Sequence, residues 1–129
     1  MILLDTHVLI WAATEPGRLS QPARKAIDES RRTDGLVIAS ITLWELANAI
    51  ARGRLETLGT VEATVEDLIF GVEVKELTVE IVSVATQLPE EYPRDPADRL
   101  IGATARVLGV PLVTKDEGIR SSRAVRTIW

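Results

Sequence analysis

The first eleven residues, M-I-L-L-D-T-H-V-L-I-W, constrain this chain more than any other stretch. Residues 1–4 form an apolar run too short for a helix and suited to a strand buried on both faces. The run stops at a carboxylate, Asp5. An acid at that point sits on the carboxyl edge of a central strand, where open α/β sheets collect ligands and catalytic groups. Asp5 is therefore the first candidate for a functional site, and the later acids are candidates to join it.

A length of 129 residues suits a single domain spanning 1–129, large enough to hide about two-thirds of its unfolded surface. With 46% hydrophobic and 26% charged residues it belongs with globular chains, and no apolar run approaches the ~20 residues a membrane span needs. Asp5 and His7 interrupt the apolar start and no basic residue precedes it, so a signal peptide is not expected and a cytoplasmic location is. The absence of Cys and the presence of one His exclude zinc held by thiolates or imidazoles. Any metal must be held by oxygen. A net charge of -4 argues against a generic phosphate binder, although the basic set is twelve Arg to three Lys and Arg forks suit phosphate.

A short helix is expected from residue 7 to 13, closed by Pro16-Gly17, with His7 hydrogen-bonded locally at its start. A second should cover residues 20–32, capped by Ser20, with Arg24, Lys25, Arg31 and Arg32 on its wetter side. Gly35 opens a buried strand, residues 36–39, and Ser40 or Thr42 caps an apolar helix that ends at Arg52-Gly53. Within it Thr42-x-x-Glu45 fits a capping box, so on local grounds Glu45 reads as a cap. Trp44, with Leu55 and Leu58, is either core or an apolar surface that pairs with another chain.

A helix over residues 61–70, a half-wet strand over 72–75 and a helix capped by Thr78 follow. Asp95-Pro96 marks the start of a helix that runs to Leu108 and closes at Gly109. Asp98 falls in its first turn, Asp95 is placed to pair with Arg99, and Arg99, Gly102 and Arg106 form its exposed line. Residues 110–113 make a strand that also stops at an acid, Thr114-Lys115-Asp116. Arg120 and Arg123 lie in a polar turn, and residues 125–129 form a short edge strand.

This succession argues a three-layer α/β/α sandwich around a mostly parallel sheet of about four to five strands. If strands one and four are neighbours, Asp5 and Asp116 converge, and the helix starts bearing Glu45 and Asp98 can face the same cleft. Four acids in one cleft repel one another, so the fold keeps them together only around something positive. An all-oxygen donor set suits Mg²⁺ or Mn²⁺, which can activate a water and neutralise charge on a phosphodiester.

The residues resemble the PIN-domain ribonucleases, in particular the VapC-type toxins of bacterial toxin-antitoxin pairs. The resemblance spans nearly the whole chain in five ordered blocks: L-L-D-T-H-V-L-I-W at residues 3–11, S-I-T-L-W-E-L-A at 40–47, R-D-P-A-D-R-L-I-G-A-T-A at 94–105, L-V-T-K-D-E at 112–117 and V-R-T-I-W at 125–129. It implies a PIN-like fold and an endoribonuclease whose Asp5, Glu45, Asp98 and Asp116 bind Mg²⁺ or Mn²⁺ and carry catalysis, overriding the local reading of Glu45. It further implies Thr6 and Thr114 as supporting hydroxyls, an RNA substrate, a homodimer and a VapB-type antitoxin. Many relatives carry a His before the Arg-Asp-Pro block where this chain has Tyr92-Pro93, and Arg94 and Arg99 remain as candidates to grip phosphate. Two rivals stand beside this reading. A phosphorelay receiver would need a second acid beside Asp5 and a Lys after strand five, which are lacking, and a catalytically idle partner-binding domain would use the same acids merely as caps.

Overall fold

The computed structural model describes residues 1–57 and 59–129; Leu58, grouped above with Trp44 and Leu55, lies outside the described residues. Five strands, β1 (Ile2–Leu4), β2 (Leu36–Ala39), β3 (Val72–Lys75), β4 (Leu112–Val113) and β5 (Thr127–Ile128), form one all-parallel sheet in the order β3-β2-β1-β4-β5. Seven α-helices cover it among the described residues: α1 (Thr6–Thr14), α2 (Gln21–Arg32), α3 (Ile41–Ala51), α4 (Val61–Leu68), α5 (Val79–Thr86), α6 (Pro96–Leu108) and α7 (Glu117–Ser122).

Strand alternation divides the core in two. Ile2, Leu4, Leu36, Ile38 and Val113 pack on Val8, Leu9, Ala23, Ile27 and Leu46, whereas Leu3, Val37, Ala39 and Leu112 pack on Leu88, Tyr92, Ile101, Ala105 and Ile119. Each sheet face thus has its own apolar layer, and each fully buried Leu or Ile contributes about 1.5–3 kcal/mol. This is the three-layer sandwich expected. β1 sits at the centre, paired to β2 on one side and β4 on the other, with Leu3 opposite both Val37 and Leu112. Connections leave β1 toward β2 in one direction and the chain returns to β4 in the other, which makes the β1/β4 edge the switch point where a crevice opens.

The local capping chemistry largely follows the sequence. Ser20, Thr60, Thr78 and Asp95 each accept from the backbone N–H three residues on, and Gly109 ends α6 with φ 67°, a left-handed conformation that favours glycine. Four readings are corrected. Thr42 is not a cap: α3 begins one residue earlier, and Thr42 is fully buried inside its first turn. Arg120 lies in a helix, α7, N-capped by the Asp116 carboxylate and anchored by buried Ile119, rather than in a turn. Gly102 faces inward, because the Tyr92 ring fills the space where its Cβ would stand. Arg99 forms no ion pair with Asp95 among the described residues; its guanidinium donates to the carbonyls of Ala85 (3.2 Å) and Tyr92 (3.5 Å). Trp44, left open by the sequence, is 65% exposed and so is surface.

Candidate active site

The site is built outward from Asp5. The β1 strand delivers it to the sheet edge, where its N–H donates to the Val113 carbonyl of β4 at 3.1 Å, and its side chain is only 4% exposed. A buried carboxylate needs hydrogen-bond partners for its oxygens. Oδ1 accepts from the Thr6 N–H at 2.8 Å and Oδ2 accepts from the Thr114 hydroxyl at 2.7 Å. The carboxylate plane is therefore fixed from both sides.

Those two threonines extend the network to two more acids. The Thr6 hydroxyl donates to Glu45 Oε1 at 2.6 Å and also meets the Thr42 hydroxyl at 2.9 Å. Glu45 is thus held by a residue 39 positions away, and its side chain does not return to its own helix start as a capping box requires. Thr114 Oγ1 in turn accepts from the Asp116 N–H at 3.0 Å, while Asp116 Oδ1 caps α7 by accepting from Ile119 at 2.9 Å. A continuous chain of short hydrogen bonds links Glu45, Thr6, Asp5, Thr114 and the backbone of Asp116.

Asp98 enters from α6. Its N–H donates to Asp95 Oδ1 at 3.2 Å, and its carbonyl accepts from the Tyr92 hydroxyl at 2.7 Å. Tyr92 is 1% exposed, and burial pushes its phenol up, so it stays a protonated donor. Sequence reading noted Tyr92 only as a departure from relatives; its role as the pin that sets the first turn of α6 is visible only in the fold. Thr42 was likewise missed as a member of the hydroxyl network.

These acids also act on one another electrostatically. Burial pushes the Asp98 carboxyl up to about 7, with Asp5, Asp95, Asp116 and Glu45 adding to the rise in that order. Glu45 is also raised, first by burial and then by Asp5, against the downward pull of the Thr6 hydroxyl. Among the described residues no Lys or Arg forms an ion pair with any of the four. The titratable group that approaches is His7, whose Nδ1 stands 3.6 Å from Asp5 Oδ2. Burial holds His7 below its ordinary 6.5 although Asp5 and Asp116 oppose this, and its Nε2 accepts from the Lys115 N–H at 3.1 Å, which leaves the proton on Nδ1 facing Asp5.

All of the quartet, and both supporting threonines, are thus brought to one sheet edge. Arg94 is exposed on the approach to α6, and Arg99 is turned onto carbonyls. Among the described residues no three acidic or imidazole side chains stand close enough together to hold a metal ion between them. The arrangement is instead a row of oxygens with unopposed negative charge. That suits a hard divalent ion such as Mg²⁺, which is bound through one or two carboxylates and keeps several of its own waters.

Comparison with known proteins places this geometry in context. The family model described as PIN domain matches residues 2–123. Ribonuclease VapC22 of Mycobacterium tuberculosis is 40% identical over 130 residues, covering 99% of this chain and 98% of the relative. Among solved structures, VapBC2 from Rickettsia felis, bound to a DNA fragment from its promoter, superposes with a TM-score of 0.76 at 16% identity, over 98% of this chain and 97% of that one. DNA-bound VapBC from Salmonella typhimurium gives 0.72 at 24% identity over the same shares of the two chains. At those identities the structural matches speak for the fold alone.

Proposed function

The chain belongs to the PIN domain family, and on that premise we propose that it is a Mg²⁺- or Mn²⁺-dependent endoribonuclease acting as the toxin of a type II toxin-antitoxin pair. The observation that carries the proposal is the acid row itself: the Asp5 and Glu45 carboxylates and the Asp116 backbone joined through Thr6 and Thr114, Asp98 raised beside them on α6, and no Lys or Arg among the described residues in an ion pair with any of the four. When bound, a divalent ion supplies a water of lowered pKa and neutralises charge on the phosphodiester.

The chain's own residues do the rest. Thr6 and Thr114 hold both Asp5 oxygens, so that carboxylate cannot rotate away from the cleft. Thr6 aims Glu45 into the same space. Asp98, raised first by burial and then by its acidic neighbours, is the acid that an incoming cation would most strongly deprotonate, and it rides on a helix start fixed by Tyr92. Neutral His7 has its free nitrogen occupied by the Lys115 amide, so it orients Asp5 rather than acting as a base. The chain contains no Cys to act as a nucleophile, and attack by water at phosphorus needs none.

The relative's name supports RNA as the substrate, and the VapBC neighbours support a VapB-type antitoxin as the partner. A homodimer follows from the family resemblance, with Trp44 (65% exposed) and Phe70 (89% exposed) as apolar surface available to a second chain. Cleavage of total cellular RNA by purified protein tests the reading. The wild type should cut with Mg²⁺ or Mn²⁺ and stop with a chelator, and Asp98→Ala or Asp5→Asn should lose at least about a hundredfold in rate while keeping the wild-type circular dichroism spectrum. Equal cleavage by variant and wild type would remove those acids from the chemistry. Titration of Mn²⁺ by calorimetry separates the idle-domain alternative, for which wild type and Asp5→Asn should give the same heats.

A further inference from the structure

An acidic cleft repels the polyanion it is proposed to cut, so cations must stand beside it for RNA to enter. Arg99 is spent on carbonyls. A different pair stands close to His7, the side chain beside Asp5. The Arg18 guanidinium carbon lies 4.2 Å from the Trp11 ring centroid, and Lys115 Nζ lies 5.7 Å from it. Both cations are exposed, and they come from segments almost a hundred positions apart.

The platform beneath them is rigid. Trp11 is half-buried, with the His7 ring edge-on at 4.9 Å and Trp129 tilted against it at 6.0 Å. The Lys115 amide is tied to His7 Nε2, and His7 is tied to Asp5, so the rim is joined to the acid row through two contacts. Lys115 has no carboxylate partner among the described residues, and the one partner of Arg18, Glu15, stands 4.0 Å away at the outer limit of an ion pair. An exposed cation–π contact gives only about 0.5–1 kcal/mol, too little to explain gathering two like charges around one indole. A phosphate between them would, and a guanidinium already stacked on a ring has less freedom to lose on binding it.

We propose that Arg18 and Lys115, set around Trp11, form a phosphate-binding rim that seats single-stranded RNA alongside the acid row. The inference rests on the ribonuclease reading for the identity of the polyanion. It is tested by fluorescence anisotropy with a labelled single-stranded RNA of about a dozen nucleotides, a length near one single-strand site, across a series of salt concentrations. Arg18→Gln, Lys115→Gln and the double variant are compared with wild type, with Arg32→Gln on the exposed side of α2 as a charge-matched control. Each rim variant should weaken binding severalfold and lower the slope of log K against log salt by about 0.7, the double variant by about twice that, and the control should match wild type. Wild-type affinity and slope in the double variant would overturn the rim, as would a loss in Arg32→Gln as large as in the rim variants. If the rim variants weaken binding but wild type cuts no RNA with Mn²⁺, the rim stands and the nuclease reading falls. If wild type cuts and the double variant binds as wild type does, only the rim falls.

Discussion

At the residue scale the most informative group is Asp98. Its carboxyl is raised from 3.8 to about 7, chiefly by burial and next by Asp5. A carboxyl with a native pKa above its unfolded value binds its proton more tightly when folded, so between about pH 4 and pH 7 the metal-free protein loses stability as pH rises. Above that window the full penalty remains. Asp98→Asn removes the charge and should raise the melting temperature in chelator at pH 8 by several degrees. The gain corresponds to about 1–2 kcal/mol once solvent screening of this half-exposed group is allowed for. At pH 5 the gap should close, because the wild-type carboxyl is already protonated there. Mn²⁺ should reverse the order by stabilising the wild type more than the variant. Differential scanning calorimetry at the two pH values decides it, and a variant no more stable than wild type at pH 8 would mean the acids are not crowded. Asp5 should behave oppositely: Asp5→Ala strands the Thr6 amide and Thr114 hydroxyl, and each buried unmade bond costs about 1–3 kcal/mol.

At the element scale, α6 depends on a ring from the loop before it. Tyr92 fills the space over Gly102 and donates to the Asp98 carbonyl, so the helix that carries the acid is registered by one side chain. Gly102→Ala drives a methyl into that ring and should cost about 1–3 kcal/mol by urea denaturation. Tyr92→Leu should relieve much of that cost, giving a double variant more stable than the sum of the singles predicts. Tyr92→Phe keeps the packing, and should lower stability by only about 1 kcal/mol while reducing cleavage, since Asp98 loses its register but no core volume. Simple additivity of Gly102→Ala and Tyr92→Leu would show that the two do not touch. The same helix marks what the sequence could convey. Asp95-Pro96 and Gly109 announced its ends because caps are local chemistry, and the polar stops after β1 and β4 announced Asp5 and Asp116 because buried strands read as apolar runs. Gly102 was misplaced on a wet line because helical periodicity cannot see a tyrosine arriving from a loop. Thr42-x-x-Glu45 satisfied a local pattern, yet its tertiary partner Thr6 decides the geometry. The six-residue α7, with Gly118 and two serines, has little helical preference of its own and forms because Asp116 caps it and Ile119 is buried.

At the scale of the whole molecule, a net charge of -4 looks wrong for a protein proposed to act on RNA, and the charge distribution resolves the conflict. Four of the acids are gathered at one edge, where a divalent ion would cancel half of their charge, while Arg18 and Lys115 meet at Trp11 against His7, and Arg94 is exposed just ahead of α6. A divalent ion bound there would reduce the repulsion that these carboxylates exert on a phosphodiester. A nuclease assembled this way has no internal block among the described residues, since no basic side chain plugs the acids. A partner could restrain such a nuclease by offering a cation to the same carboxylates. Induced expression of the wild-type chain alone should arrest growth of a bacterial host, Asp98→Ala should be tolerated at equal protein level, and co-expression of a VapB-type antitoxin that binds the chain should restore growth. Colony counts with matched immunoblots give the readout. Unimpaired growth at high levels of folded wild-type protein would count against a toxin role while leaving the acid row and its in vitro cleavage to be judged separately.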